Sequence, residues 1–180
     1  MMSLPCLDSM PMRLTLDPRF RPCEAQEGEE LYPNGIFEFN ITRLLSYIDT
    51  SGKFRHESVP LSQILYGGTS PELDELTIAS ADLSRPVILA EISPGRYNLI
   101  DGNHRLAKAR RLGVTSIAAY RIRCPEHIAY LTSTRAYEAY VKYWNSKVDD
   151  IVGRPVRIEA LSLSQTPRTR RSSSAEKSRS

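Results

Sequence analysis

The stretch from Pro86 to Ile122 narrows the fold more than any other part of the chain. Pro86-Val87-Ile88-Leu89-Ala90-Glu91-Ile92 is a near-continuous apolar run, the pattern of a strand buried on both faces. Ser93-Pro94-Gly95-Arg96 follows with proline and glycine in type II turn order. Tyr97-Asn98-Leu99-Ile100 returns as the second strand of a hairpin, and Gly102 breaks it. Residues 103–112 then read as a helix, Gly113 as its left-handed C-cap, and residues 117–122 as a further strand. This order of elements predicts an α+β fold.

The flanks are read by the same rules. Asn40 precedes Ile41, Leu44, Leu45 and Ile48, the stripe of an amphipathic helix, with Asn40 as N-cap and Gly52 just past its end. Residues 59–64 suit a short strand. Gly67 and Gly68 form a flexible connection, and Ser70 caps a helix that begins at Pro71. Residues 1–35 are proline-rich and acidic around 24–30, which predicts an irregular segment with one short strand at 12–16. The chain therefore divides into an N-terminal segment 1–35, a domain 36–123 with its core at 57–123, a helical extension 124–152 and a tail 153–180. In the extension, Tyr137, Tyr140, Val141, Trp144 and Val148 give an aromatic-rich face, interrupted upstream near Ser133-Thr134. Such a face is core or a partner contact before it is a platform for stacking bases.

Composition enters where it separates classes. With 41% hydrophobic and 25% charged residues the chain can build a core, and no apolar run is long enough for a membrane helix. Cys6, Cys23 and Cys124 are widely spaced, form no CxxC pair and do not cluster with His56, His104 or His127. The expectation is a reduced, cytoplasmic protein without structural zinc or disulfides. From Arg154 onward seven Lys/Arg face two Glu, a surplus of five, which leaves the rest of a chain of net charge +3 at −2. The basic character belongs to a serine- and arginine-rich tail that cannot order itself.

The chemistry-bearing motif is Asp101-Gly102-Asn103-His104-Arg105. A helix that starts directly after a strand presents unpaired N–H groups and the positive end of its dipole. Gly102 carries no side chain to keep a phosphate away. His104 and Arg105 are cationic or potentially so at the helix end that disfavours cations, as though an anion arrives to neutralise them. Arg105 can fork onto phosphate oxygens, His104 can donate or transfer a proton, and Asp101 can hold Mg²⁺, bond a ribose hydroxyl or orient the histidine. The plainer reading is that Asp101 caps the helix, His104 lies on the surface and Arg105 pairs with Asp101. Lys108, Arg110 and Arg111 read as the helix's solvated face.

Residues 83–89, the hairpin, and Ile100-Asp101-Gly102-Asn103-His104-Arg105-Leu106-Ala107-Lys108-Ala109-Arg110-Arg111-Leu112-Gly113 together resemble the ParB/sulfiredoxin superfamily over about residues 57–123. The resemblance implies a compact mixed sheet with helices, here with a C-terminal helical extension, binding nucleotide phosphates at Gly102, Asn103, His104 and Arg105. Gly67, Gly68 and Arg85 would cover the nucleotide, Asp101 would hold Mg²⁺, and Asp101 and His104 would serve catalysis. ParB proteins bind CTP through a Gly-Glu-Arg-Arg signature and continue into a helix-turn-helix. Here Asn103 and His104 replace its second and third residues, and no such DNA-binding motif follows Arg123. Sulfiredoxins carry Gly-Cys-His-Arg; with Asn103 in place of the cysteine, their thiol repair is lost while His-Arg is kept. Free serine kinases of this fold have Asp-Gly-His-Thr-Arg and a catalytic glutamate, for which Glu38, Glu57 and Glu72 are the candidates.

The leading expectation is a protein binding a nucleoside di- or triphosphate such as ATP or CTP, with Mg²⁺-dependent hydrolysis or phosphotransfer. The alternatives are a DNA-associated protein of plasmid or phage type, contacting DNA phosphates through its basic tail, and a binding module that has lost catalysis.

Overall fold

The computed structural model describes residues 11–66 and 73–153. Thirteen elements, counting two 3₁₀ turns, build a mixed α+β fold. A hairpin of β1 (Leu31–Asn34) and β2 (Phe37–Asn40) leads directly into α1 (Ile41–Ser51). Then come β3 (Glu57–Pro60), a 3₁₀ turn, β4 (Leu65–Tyr66), α2 (Glu75–Ser80), β5 (Val87–Ser93) and β6 (Arg96–Asp101). α3 (Asn103–Arg111), β7 (Ser116–Ile122), a second 3₁₀ turn (Glu126–Tyr130) and α4 (Thr134–Val152) complete the described chain. Among the described residues no helix is long and apolar enough to cross a membrane.

The five-stranded sheet runs β3-β7-β5-β6-β4. β5 is parallel to β7 and antiparallel to β6, β3 is antiparallel to β7, and β4 is parallel to β6. The apolar run of β5 is central, as its composition requires. Ile88, Ala90 and Ile92 face a core shared with the β1–β2 hairpin, α1 and α4. Val87 and Leu89 face a second core with Leu106 and Ala109 of α3. Both faces of the sheet are covered, which is why this strand shows no polar alternation.

The helix starts follow their caps. The Asn40 side chain accepts from Arg43 N–H and Gly52 closes α1 in the left-handed region. Ser133 caps α4 through Ala136 N–H, at the break predicted near Ser133-Thr134. The helix expected from Pro71 begins instead at Glu75. Asp74 caps it by accepting from Thr77 N–H at 2.7 Å, and Ser70 and Pro71 lie outside the described residues. The strand expected over 59–64 is β3, which stops at Pro60 and continues as a 3₁₀ turn.

The N-terminal segment departs most from expectation. Residues 31–34, read as irregular, form β1, and residues 12–16 form no strand. That segment instead runs along α4, held by its side chains. Trp144 Nε1 donates to Met12 O at 3.0 Å, Asn145 exchanges two bonds with the Leu14 backbone, and Tyr137 Oη accepts from Asp17 N–H. Phe20 stacks on Tyr137 with ring centres 3.9 Å apart. The aromatic face of α4 is thus core on one side and the seat of this strap on the other.

Candidate functional site

The site grows from the junction between β6 and α3. Asp101, the last residue of β6, is nearly buried, and Gly102 turns the chain at φ 102° into the helix. Leu106 N–H closes the first helical bond onto Gly102 O at 2.9 Å. Gly102 has no capping side chain, so the first-turn amides receive no side-chain acceptor from it. The glycine has a structural cause that the sequence does not disclose. A Cβ here would lie 2.4 Å from Val87 Cγ1, so the space it leaves is filled by the protein rather than kept for a ligand.

Arg105 is mostly buried, its side chain 13% exposed, and its fork is directed at the protein. Nη2 donates to Asp101 Oδ2 at 2.6 Å, and Nη1 donates to Pro86 O at 2.6 Å and Arg85 O at 3.2 Å. The plainer reading of the Asp101–Arg105 pair is the one observed. The other basic side chains that line the site are His104, partly buried, and Arg85, exposed.

These residues open onto a pocket of about 430 Å³. Its floor is Asp101 to Arg105. One wall is α2 with the turn after it, through Thr77, Ser80, Asp82 and Arg85, and the other is Glu30, Tyr32 and Leu45. Asn103 lies in this floor with its Oδ1 closed to solvent and unpaired among the described groups, while the Tyr32 hydroxyl is in hydrogen-bonding contact with the same side chain. Gly67 and Gly68, the other expected nucleotide contacts, lie outside the described residues.

Glu30 is the functional candidate that sequence reasoning missed. Its N–H donates to Thr42 Oγ1 at 2.8 Å and its carbonyl accepts from Ile41 N–H at 2.9 Å, which bolts it to the start of α1. Partial burial pushes its carboxyl pKa up, the nearby Asp101 charge adds to this, and Arg105, Arg85 and His104 oppose it. Two of the glutamates considered from sequence are engaged elsewhere. Glu38 accepts from Thr132 Oγ1, Glu57 pairs with Arg121, and Glu72 lies outside the described residues. Among the described residues no group of three or more His, Cys, Asp or Glu is arranged to hold a metal ion by itself.

A larger cavity of about 650 Å³ lies elsewhere, lined by Glu91, Tyr97, Arg123, Cys124 and Trp144 among others. Its chemistry is already satisfied. Glu91 accepts from Gly95 and Cys124 N–H groups, and burial pushes the Cys124 thiol up to about 11, which disfavours its thiolate.

Fold and site together define an α+β protein with a charged pocket where a helix starts at the end of a sheet strand. In comparisons with known proteins, no family model and no curated protein matches the chain.

Proposed function

We propose that the pocket at the start of α3 binds the phosphates of a nucleoside di- or triphosphate, and that the protein is a cytoplasmic nucleotide phosphohydrolase or small-molecule phosphotransferase of ParB/sulfiredoxin type. The observation that carries this reading is the convergence of basic and acidic side chains on one pocket at the start of α3. Gly102 leaves the first turn of α3 without a side-chain cap, and the residues of that turn line the pocket together with the basic side chain of Arg85 and the carboxylates of Glu30, Asp82 and Asp101. Helix amides favour an anion that approaches end-on, the Arg85 guanidinium adds a charge-assisted donor, and the His104 imidazole offers a further donor.

Within this reading His104 donates to the terminal phosphoryl oxygens. Glu30 takes the proton lost by an attacking water or alcohol oxygen as the bond from terminal phosphorus to the bridging oxygen breaks, releasing a nucleoside diphosphate from a triphosphate. In phosphate sites Mg²⁺ is held by one or two carboxylates with phosphate oxygens and water. Glu30 and Asp101 line the same pocket and Asp101 Oδ2 accepts from Arg105, so Glu30 and the other oxygen of Asp101 would hold a divalent cation, which would neutralise phosphate charge.

Calorimetric titration with ATP, ADP, CTP and GTP, with and without Mg²⁺, tests the reading. At least one nucleotide is expected to bind one to one. Glu30→Gln should keep nucleotide binding measured without Mg²⁺ and lower phosphate release by about 10²–10⁴-fold, the usual contribution of a general base. Absence of binding by all four ends the reading. Binding without release in the parent leaves a module that has lost catalysis.

A further inference from the structure

Three cations of α3 grip a single stretch of chain. Arg105, Lys108 and Arg111 recur every three residues, so successive ones are neighbours along one oblique ridge of the helix. Arg105 holds the carbonyls of Arg85 and Pro86. Lys108 Nζ donates at 2.7 Å to both Ala79 O and Ala81 O, at the C-terminal end of α2. Arg111 makes a two-pronged pair with Glu75 at the opposite end, at 2.6 and 2.7 Å. Segment 75–86 is therefore fastened at its start, middle and finish by side chains that sequence reading assigned to phosphate or to solvent.

The fastening matters because the segment does little to hold itself. α2 has six residues, too few for a stable isolated helix. Ile78 is its one buried residue, and Leu76 is 80% exposed. Yet this segment forms a wall of the pocket and carries Arg85 at its rim. We propose that Arg105, Lys108 and Arg111 are positioning residues which hold segment 75–86 as a closing wall, and that Arg85, carried on that wall, is the guanidinium that meets the ligand's anion. The ligand half of this inference rests on the nucleotide reading above; the wall half stands without it.

The test uses the full chain and three variants: Lys108→Met, Lys108→Arg and Arg85→Gln. Hydrogen–deuterium exchange without ligand comes first. Lys108→Met should speed exchange of amides 75–85 at least tenfold and leave β5 to β7 unchanged. Lys108→Arg, which can donate to the same two carbonyls, should restore most of the protection. ATP titration comes second. Arg85→Gln should weaken binding at least tenfold with an unchanged melting temperature. Lys108→Met should also weaken it, with saturating ATP slowing the exchange again. Unaltered exchange in Lys108→Met overturns the positioning role, and parental ATP affinity in Arg85→Gln overturns the anion contact. If the parent binds no nucleotide, the functional reading and the Arg85 assignment fall together, and exchange alone still decides the ridge.

Discussion

Gly102 answers two independent demands, a φ of 102° and the pressure of Val87 against the place where a Cβ would sit. Gly102→Ala must pay backbone strain and then displace Val87, which is fully buried on the central strand. Together these should lower unfolding free energy by about 2–4 kcal/mol. Urea denaturation checks it, and a loss under 1 kcal/mol would show that the strand yields easily. Arg105 makes the companion case. Arg105→Met leaves the nearly buried Asp101 carboxylate and two carbonyls without their donor, at a cost of about 3–5 kcal/mol. The double variant Asp101→Leu/Arg105→Met should be less destabilised than Arg105→Met alone, because no unpaired charge remains. A double variant that is worse than the single one would remove this account of the pair. Sequence alone weighs the Asp101–Arg105 pair against a phosphate contact without choosing. The deciding acceptors, the carbonyls of Arg85 and Pro86, lie some twenty residues upstream, and no local pattern reports where a distant carbonyl points.

At the scale of elements, the strap over α4 shows how much irregular backbone a helix can organise. Trp144, Asn145 and Tyr137 supply the partners that the Met12, Leu14 and Asp17 backbone would otherwise find in a sheet. Asn145→Leu removes two of these bonds at once and should cost about 1–3 kcal/mol. Release of the strap should also speed tryptic cleavage after Arg13 or Arg19 severalfold, and parental cleavage kinetics would contradict the clamp. The regular elements were the legible ones. The β5–β6 hairpin, α3 with Gly113 beyond it, β7 and α1 with its Asn40 cap all carry strong periodicity or cap signals close to their observed limits. The β1–β2 hairpin was harder. Asn34-Gly35 is the strongest short hairpin signal, and Gly35 does adopt φ 67°, but Pro33 argues against a strand. It is tolerated because β1 pairs only with β2 among the described strands. Glu30 was invisible for that reason, since it reaches the pocket through this hairpin.

The whole molecule is two cores on one sheet, and what joins the sheet to α4 is a buried polar relay. Tyr140 Oη donates to Glu91 O at 2.8 Å and lies 3.0 Å from His127 Nε2, while His127 packs edge-on against the Tyr140 ring. His127 is fully buried among Phe39, Tyr140 and the second 3₁₀ turn. Its sequence, a lone histidine after Cys124-Pro125, gives no hint of that burial, because the residues that enclose it come from β2 and α4. Burial pushes its pKa down from the ordinary 6.5 to about 4. The sign of the consequence follows from proton counting. Above pH 6.5 both folded and unfolded chains hold a neutral imidazole, and this residue adds no pH dependence. Between pH 6.5 and about 4 the unfolded chain binds a proton that the folded chain refuses, so folding stability falls with falling pH. The slope approaches about 1.4 kcal/mol per pH unit, so His127 should account for about 2 kcal/mol of stability lost between pH 7 and pH 5. His127→Gln cannot take up that proton in either state. Urea denaturation of parent and variant at pH 7, 6 and 5 should therefore give stability curves that converge as pH falls, by about 2 kcal/mol at pH 5. Parallel curves would mean that the imidazole is reached by water and protonates in the folded protein as it does in the unfolded one.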